Sequence, residues 1–201
     1  MNSVNVEDAG YSQAMGHLLV LYTQVDQFIM EACAERIASA PGQSARLGLA
    51  KQVGDECRHV TIQSRWMEKF GVDPTPAISQ RALEQLRSHF RSLDWVDFLT
   101  DLYLVIEALG SQAVEQVVPL ADPGTRESLR VPLQDELDHV AFGLAELHKA
   151  LAGMDAGKVL HIIATDPGSV KDFEAFARQT GNELMESKEE GGKFLFLIKK
   201  A

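Results

Sequence analysis

The sequence has little cysteine, little positive charge and no long apolar run. Cys33 and Cys57 are the two cysteines in 201 residues, too few for the disulfide framework that holds small secreted domains together. On antiparallel helices turning at Pro41, they sit about 12 Å apart in height at ~1.5 Å per residue. No disulfide joins them at that separation, and a reducing cytoplasm is the expected compartment. Lys and Arg number 19 against 29 Asp and Glu, for a net charge of -10. With no basic stripe and no aromatic-plus-arginine surface, duplex nucleic acid is not an expected partner. No apolar run approaches the ~18–20 residues of a membrane span. The N-terminal Met-Asn-Ser-Val-Asn-Val-Glu-Asp lacks the basic start and apolar core of a signal peptide.

The charge deficit is uneven. Residues 1–152 carry 12 basic against 21 acidic side chains, and residues 153–201 carry 7 against 8. Some of the excess acid falls within apolar helical segments, where an unpaired carboxylate is costly to bury. The most informative stretches are Asp55-Glu56-Cys57-Arg58-His59 and Asp135-Glu136-Leu137-Asp138-His139, each reading Asp-Glu-x-x-His. Residues three apart share one face of a helix, so Glu56 and His59 point together, as do Glu136 and His139. A carboxylate and an imidazole one turn apart can grip a single metal ion. Two such helices, with one further carboxylate from each of two more, make a di-metal site in a four-helix bundle.

Geometry picks out the two further carboxylates. Helices joined by a short loop place residues equally far from the turn at the same height. Asp26 lies 15 residues before Pro41 and Glu56 lies 15 after it; Glu107 lies 16 before Pro123 and Glu136 lies 13 after it. Glu31 and Asp101, the nearest rivals, are displaced by more than a helical turn. The expected ligands are therefore Asp26, Glu56, His59, Glu107, Glu136 and His139. Tyr22 and Tyr103 fall one turn before Asp26 and Glu107, as packing residues or as hydrogen-bonding or redox-active tyrosines. Cys57 is turned about 100° from the ligand face and reads as packing. Arg58 reads as a salt-bridge residue, and His17, His89, His148 and His161 as structural or surface residues.

Helical periodicity predicts bundle helices over about 9–39, 44–70, 94–118 and 123–152. The second and third are linked by a crossover with a short amphipathic helix near 78–92. Pro132 either starts the fourth helix or bends it beside the metals. After Gly153 the pattern changes. Val159 to Ala164 reads as a strand, Ser169 caps a helix with Asp172 three residues on, and Glu183–Lys188 with Phe194–Lys199 reads as a hairpin. The expected organisation is 1–152 as a bundle and 153–201 as a small β-α-β-β unit.

The ligand constellation resembles the ferritin-like di-iron carboxylate superfamily over about the first 152 residues. The aspartate before each motif glutamate is similar to the oxygenase and ribonucleotide-reductase-like branch. That resemblance implies a mainly α fold, a ferritin-like four-helix bundle. It also implies that Asp55 orients His139 and Asp135 orients His59 from the opposite helix, fixing tautomer and ring direction. Asp26 departs from the glutamate more common at its position and shortens that arm by one methylene. The tail resembles the C-terminal part of the TusA-like sulfur-carrier family, through Ala164-Thr165-Asp166-Pro167-Gly168-Ser169, Gly181-Asn182-Glu183-Leu184 and the Gly191-Gly192 turn. That family carries sulfur on a Cys-Pro-x-Pro cysteine, and the tail has no cysteine, so persulfide carriage does not transfer. The end of the fourth helix, about Leu144 to Ala152, stands where the family's first helix would be.

Four carboxylates and two imidazoles suit two iron ions, or manganese, better than zinc or copper. The expected function is a di-iron oxidoreductase using dioxygen on an organic substrate that the sequence does not name. Alternatives are iron handling (ferroxidase, peroxide scavenging or storage) and a non-catalytic scaffold for the TusA-like tail. Expected partners are metal ions, dioxygen, an electron-transfer or sulfur-relay protein and a second copy of the chain, with Ser3-Val4-Asn5-Val6 available to cover the open sheet edge.

Overall fold

A computed structural model describes residues 9–164 and 169–201. Four long helical rods dominate. The first is α1 (Ala9–Arg36) and the second α2 (Gly42–Phe70). The crossover contains α3 (Gln80–Ser92). The third rod is continuous helical backbone made of α4 (Trp95–Leu99), a π-helical segment Thr100–Glu107 and α5 (Ala108–Val117), closed by a 3-10 turn Val118–Leu120. The fourth is α6 (Pro123–Ala152).

The ends follow from local chemistry. Gly71 adopts φ +63° and its N–H, with that of Val72, closes the last turn of α2 on Glu68 and Met67 carbonyls. Asp94 caps α4 by accepting from the Asp97 N–H at 2.9 Å. Asp122 caps α6 by accepting from the N–H groups of Gly124 and Thr125, and Tyr11 donates its hydroxyl to the same carboxylate at 3.0 Å. α6 begins at Pro123 and runs through the buried Pro132, so of the two alternatives at that proline, a helix start is ruled out.

Two buried apolar clusters set the direction of each rod. One includes Leu19, Met67, Val114 and Leu129; the other includes Phe28, Leu49, Tyr103 and Leu147. α1 and α6 pass from the first cluster to the second along the chain, whereas α2 and the third rod pass from the second to the first. The rods therefore run up, down, down, up, and the α3 segment is the long crossover this topology requires. Between the clusters lies a polar layer: Asp26, Glu56, His59, Glu107 and His139 are each at most 8 % exposed.

Close approach of the rods depends on two helical glycines. A Cβ on Gly143 would lie 2.2 Å from the Tyr103 ring, and one on Gly48 would lie 2.1 Å from Phe142. Tyr103 and Phe142 meet edge to face at 5.7 Å. Gly143→Ala gains about 1 kcal/mol of helix propensity but forces a fully buried ring to move. The expected net loss is about 2 kcal/mol, read as a fall of roughly 5 °C in the thermal midpoint.

The tail is a three-stranded antiparallel sheet in the order β1-β3-β2, with β1 Val159–Ala164, β2 Glu183–Glu190 and β3 Lys193–Lys199, and with helix α7 (Ser169–Thr180) between β1 and β2. Gly191 and Gly192 both have positive φ, 60° and 76°, which the two-residue β2–β3 turn needs. Leu160, Ile162, Phe196 and Ile198 face inward and join the same apolar cluster as Phe28 and Tyr103, so bundle and sheet share one core. Ser3–Val6 and Thr165 to Gly168, as well as the Asp172 side chain, lie outside the described residues.

Candidate metal centre

α2 supplies a buried polar line rather than two isolated groups. Gln52, Glu56, His59 and Gln63 recur at spacings of four, three and four, and none is more than 3 % exposed. His59 and His139 rings face each other across the bundle with centroids 6.3 Å apart. Glu56 stands between them: its Oε2 is 3.1 Å from His59 Nδ1 and its Oε1 is 3.4 Å from His139 Nδ1. Asp26 Oδ2 lies 4.0 Å from His59 Nδ1, and Glu107 Oε1 lies 3.5 Å from His139 Nδ1. Two clusters of ligand-type atoms result, Asp26–Glu56–His59 and Glu56–Glu107–His139, each with its donor atoms within 4.8 Å of one another. Glu56 belongs to both.

Glu136 is placed differently. It joins neither tight cluster, but it borders a small cavity of about 30 Å³ shared with Asp26, Glu56 and Glu107, and its Oε2 is buried with no hydrogen-bond partner. The rival acids are at the surface. Glu31 pairs with Arg87 at 2.7 Å, and Asp101 pairs with His89 at 2.7 Å, giving His89 a partner that sequence spacing did not reveal. Cys57 is exposed, which corrects its reading as a packing residue: it sits on the solvent side of a helix whose inner face is already filled by Glu56 and His59.

Outside the cluster, the histidine contacts cross between helices. Asp135 Oδ2 lies 2.9 Å from His59 Nε2, and Asp55 Oδ2 lies 3.2 Å from His139 Nε2. Cations cover both aspartates on the solvent side. Lys51 donates to Asp55 at 2.7 Å, while Arg58 spans Asp55, at 3.3 Å, and Asp135. Burial pushes both carboxyls up, but hydrogen bonds outweigh it and hold them below the usual carboxylate range. Those bonds come from Lys51 and His139 at Asp55, and from His59 and Arg58 at Asp135.

Two glutamines, which the sequence reading missed, complete the layer. Gln63 donates to Asp26 at 2.6 Å and accepts from Thr23 at 2.9 Å. Gln52 donates to Glu107 and accepts the Tyr103 hydroxyl at 2.6 Å. Their spacing of four from Glu56 and from His59 was the available signal, since it places them on the ligand face. Tyr103 is thus directed at Gln52, with the buried Cys33 thiol also against its hydroxyl. The Tyr22 hydroxyl is buried with no partner, and burial together with Glu136 and Asp26 pushes it up to about 12.

Whether divalent cations suit this layer can be judged from its own chemistry. Burial, then the neighbouring acids, pushes Asp26 and Glu136 up to about 8, and burial raises Glu107 as well. Burial opposes a charged His59, yet Glu56 and Asp135 raise it to about 9. His139 Nδ1 and Glu136 Oε2 lack hydrogen-bond partners. Crowded acids, orphaned ligand atoms and an oxygen-rich donor set fit hard or borderline divalent ions.

A family model described as a ferritin-like domain of actinomycetes matches residues 9–161. The chain belongs to that family. In this ferritin-like protein a second family model, sulfurtransferase TusA, matches residues 144–200, so the two matches overlap along the end of α6 and the start of β1. The sulfur carrier protein TusA of Allochromatium vinosum is 79% identical over 53 residues, 26% of this chain and 70% of that protein. A putative sulfur carrier protein of Neisseria meningitidis is 50% identical over 50 residues, covering 25% and 68%. One from Aquifex aeolicus is 46% identical over 48 residues, 24% of each chain. No solved structure matches this ferritin-like protein.

Proposed function

We propose that this ferritin-like protein is a di-iron oxidoreductase that consumes dioxygen. The observation that carries the reading is one buried carboxylate, Glu56, shared by two acid–imidazole clusters at the centre of a four-rod bundle. Asp26, Glu56 and His59 would hold one ion and Glu56, Glu107 and His139 the other, with Glu136 completing the set. Bound there, two ferrous ions supply the electrons for dioxygen reduction. The chain's own part is positional. Asp135 and Asp55 hold the imidazoles, Gln63 and Gln52 hold the Asp26 and Glu107 carboxylates, and the two apolar clusters exclude water on either side.

The cavity against the carboxylates favours a second reading, iron handling. About 30 Å³ is room for one water-sized molecule, not for an organic substrate. Metal-free protein loaded with ferrous iron under argon and then exposed to air separates the two. Under the oxidoreductase reading, two ferrous ions bind per chain and dioxygen uptake stops once they are oxidised unless a reductant is added. Continued uptake with excess ferrous iron and no reductant supports iron handling, and no iron binding removes both.

Asp135→Asn keeps the shape but exchanges the acceptor facing His59 Nε2 for an amide. Iron affinity is expected to fall about 10–100-fold with the fold intact, checked by competitive chelator titration.

The TusA-like tail, lacking a cysteine, serves under this reading as a docking surface for a sulfur-relay or electron-transfer protein. The homodimer reading rests on β1, which among the described residues pairs on one side, with β3, and whose Val-Leu-His-Ile-Ile-Ala sequence carries no lysine or acid to discourage edge pairing. Sedimentation equilibrium is expected to give twice the chain mass; a monomer at micromolar concentration removes the dimer.

A further inference from the structure

An apolar space bordered by the third rod lies away from the carboxylates, between that rod, α6 and the tail. It is a cleft of about 360 Å³, within the size range of small-molecule sites. Its wall on the third rod is the line Thr100, Leu104, Ala108 and Gln112, spaced by four, with Val105 beside it. The alternate line, Tyr103, Glu107 and Ser111, is buried toward the bundle centre. Thr100 and Leu104 belong to the π-helical segment, a form that recurs at functional sites. Leu144 and Leu147 of α6 form the floor, and Phe173 and Phe176 of α7 form the roof.

Three features define what would fit. No Asp, Glu, Lys or Arg lines the cleft among the described residues, in a chain that is 24% charged. The Thr100 hydroxyl is already given to the Val96 carbonyl at 2.9 Å, so it is not a free donor toward the cleft. The cleft is long: twelve residues separate Thr100 from Gln112, on the order of 15 Å of helix. Of the other hydrogen-bonding side chains on its lining, Gln112 lies at the far end of the third-rod line, and His148 and Ser169 come from α6 and the start of α7. The His148 ring is steadied edge-on against Phe176 at 5.1 Å.

We propose that this cleft binds a single-chain aliphatic molecule of about ten carbons with one hydrogen-bonding head, the chain lying on Leu104, Ala108, Leu144 and Leu147 and the head at His148. The site shares no lining residue with the cavity at the carboxylates. It is a ligand site in its own right, independent of whether the centre holds iron.

Isothermal titration of the full chain with decanoate and with decanol, below their aggregation limits, tests it on metal-free and iron-loaded protein alike. One saturable site per chain is expected in both states. Leu144→Trp and Ile163→Trp fill the cleft from positions 40% and 44% exposed, where a larger ring is tolerated. Each is expected to weaken binding at least tenfold, while Leu47→Trp, elsewhere on the surface, leaves it unchanged. His148→Ala is expected to weaken decanoate more than decanol. Absence of saturable binding, or binding retained in both filled variants, overturns the site. Equal decanoate affinity in His148→Ala overturns the placement of the head. Binding that persists without iron, even if the protein takes up no iron at all, still supports the cleft, so the two readings fail separately.

Discussion

Glu56→Gln is expected to take bound iron from two ions per chain to nearly none, while Glu107→Gln keeps one. The difference follows from connectivity. Glu107 contributes to a single cluster, with His139, whereas Glu56 reaches the Nδ1 atoms of both histidines through its two oxygens. The glutamine is nearly isosteric, so packing around a residue 1 % exposed is retained. What disappears is the charge that offsets both ions and one of the two oxygens that could bridge them. The affinity loss at each position should exceed the ~10–100-fold typical of removing an outer hydrogen-bond partner. Elemental analysis after anaerobic loading gives the stoichiometry, and circular dichroism checks that helix content is retained. Two ions retained in Glu56→Gln would mean the clusters do not share that carboxylate.

The rods and the crossover were legible because each has a clear local signal: Pro41-Gly42, Gly71, Asp94 and Asp122-Pro123 mark helix ends, and at the last three hydrogen bonds close the terminal turn. The level matching that selected Asp26 and Glu107 needed only a constant rise per residue, which antiparallel helices supply. The π-helical segment was not legible. Thr100–Glu107 contains no proline or glycine, and nothing local in Thr-Asp-Leu-Tyr-Leu-Val-Ile-Glu distinguishes a wider turn from an α-helix. The roles of Gln52 and Gln63 were hidden for another reason. A neutral amide on a helix reads as surface until the opposing acid is known, and here the opposing acids come from α1 and the third rod. His89–Asp101 and Arg87–Glu31 were invisible likewise, since each pair joins the crossover helix to a rod whose register the sequence does not specify. In the tail, the short apolar run Val159–Ala164 gave the strand, and the inward set Leu160 and Ile162 merges with the bundle core instead of closing a separate one.

Metal affinity is expected to fall steeply below neutral pH, and the thermal stability of the metal-free protein to fall in the opposite direction, as pH rises. Asp26 and Glu136 are pushed to about 8 and His59 to about 9, so near pH 7 the metal-free layer holds protons that ligation must displace. Each displaced proton costs about tenfold in apparent affinity per pH unit. Three such groups make the change between pH 7.5 and 6.5 on the order of a hundredfold to a thousandfold. For the metal-free fold the sign is reversed. A carboxyl raised from near 4 to about 8, and an imidazole raised from 6.5 to about 9, bind more protons folded than unfolded. Their contribution to stability is full below the unfolded values and is lost as pH climbs through 8 and 9. Asp55 and Asp135, held below the carboxylate range, act the other way, but their window lies below about pH 4, and they are silent here. Raising pH from 6.5 to 8.5 should therefore lower the melting point of the metal-free protein while tightening iron binding, so the gap between loaded and metal-free midpoints widens. Parallel melts, with proton release on loading measured in weakly buffered solution, provide the check. A constant gap, with fewer than about one proton released at pH 7, would mean that these carboxyls and this imidazole are not what the ions bind.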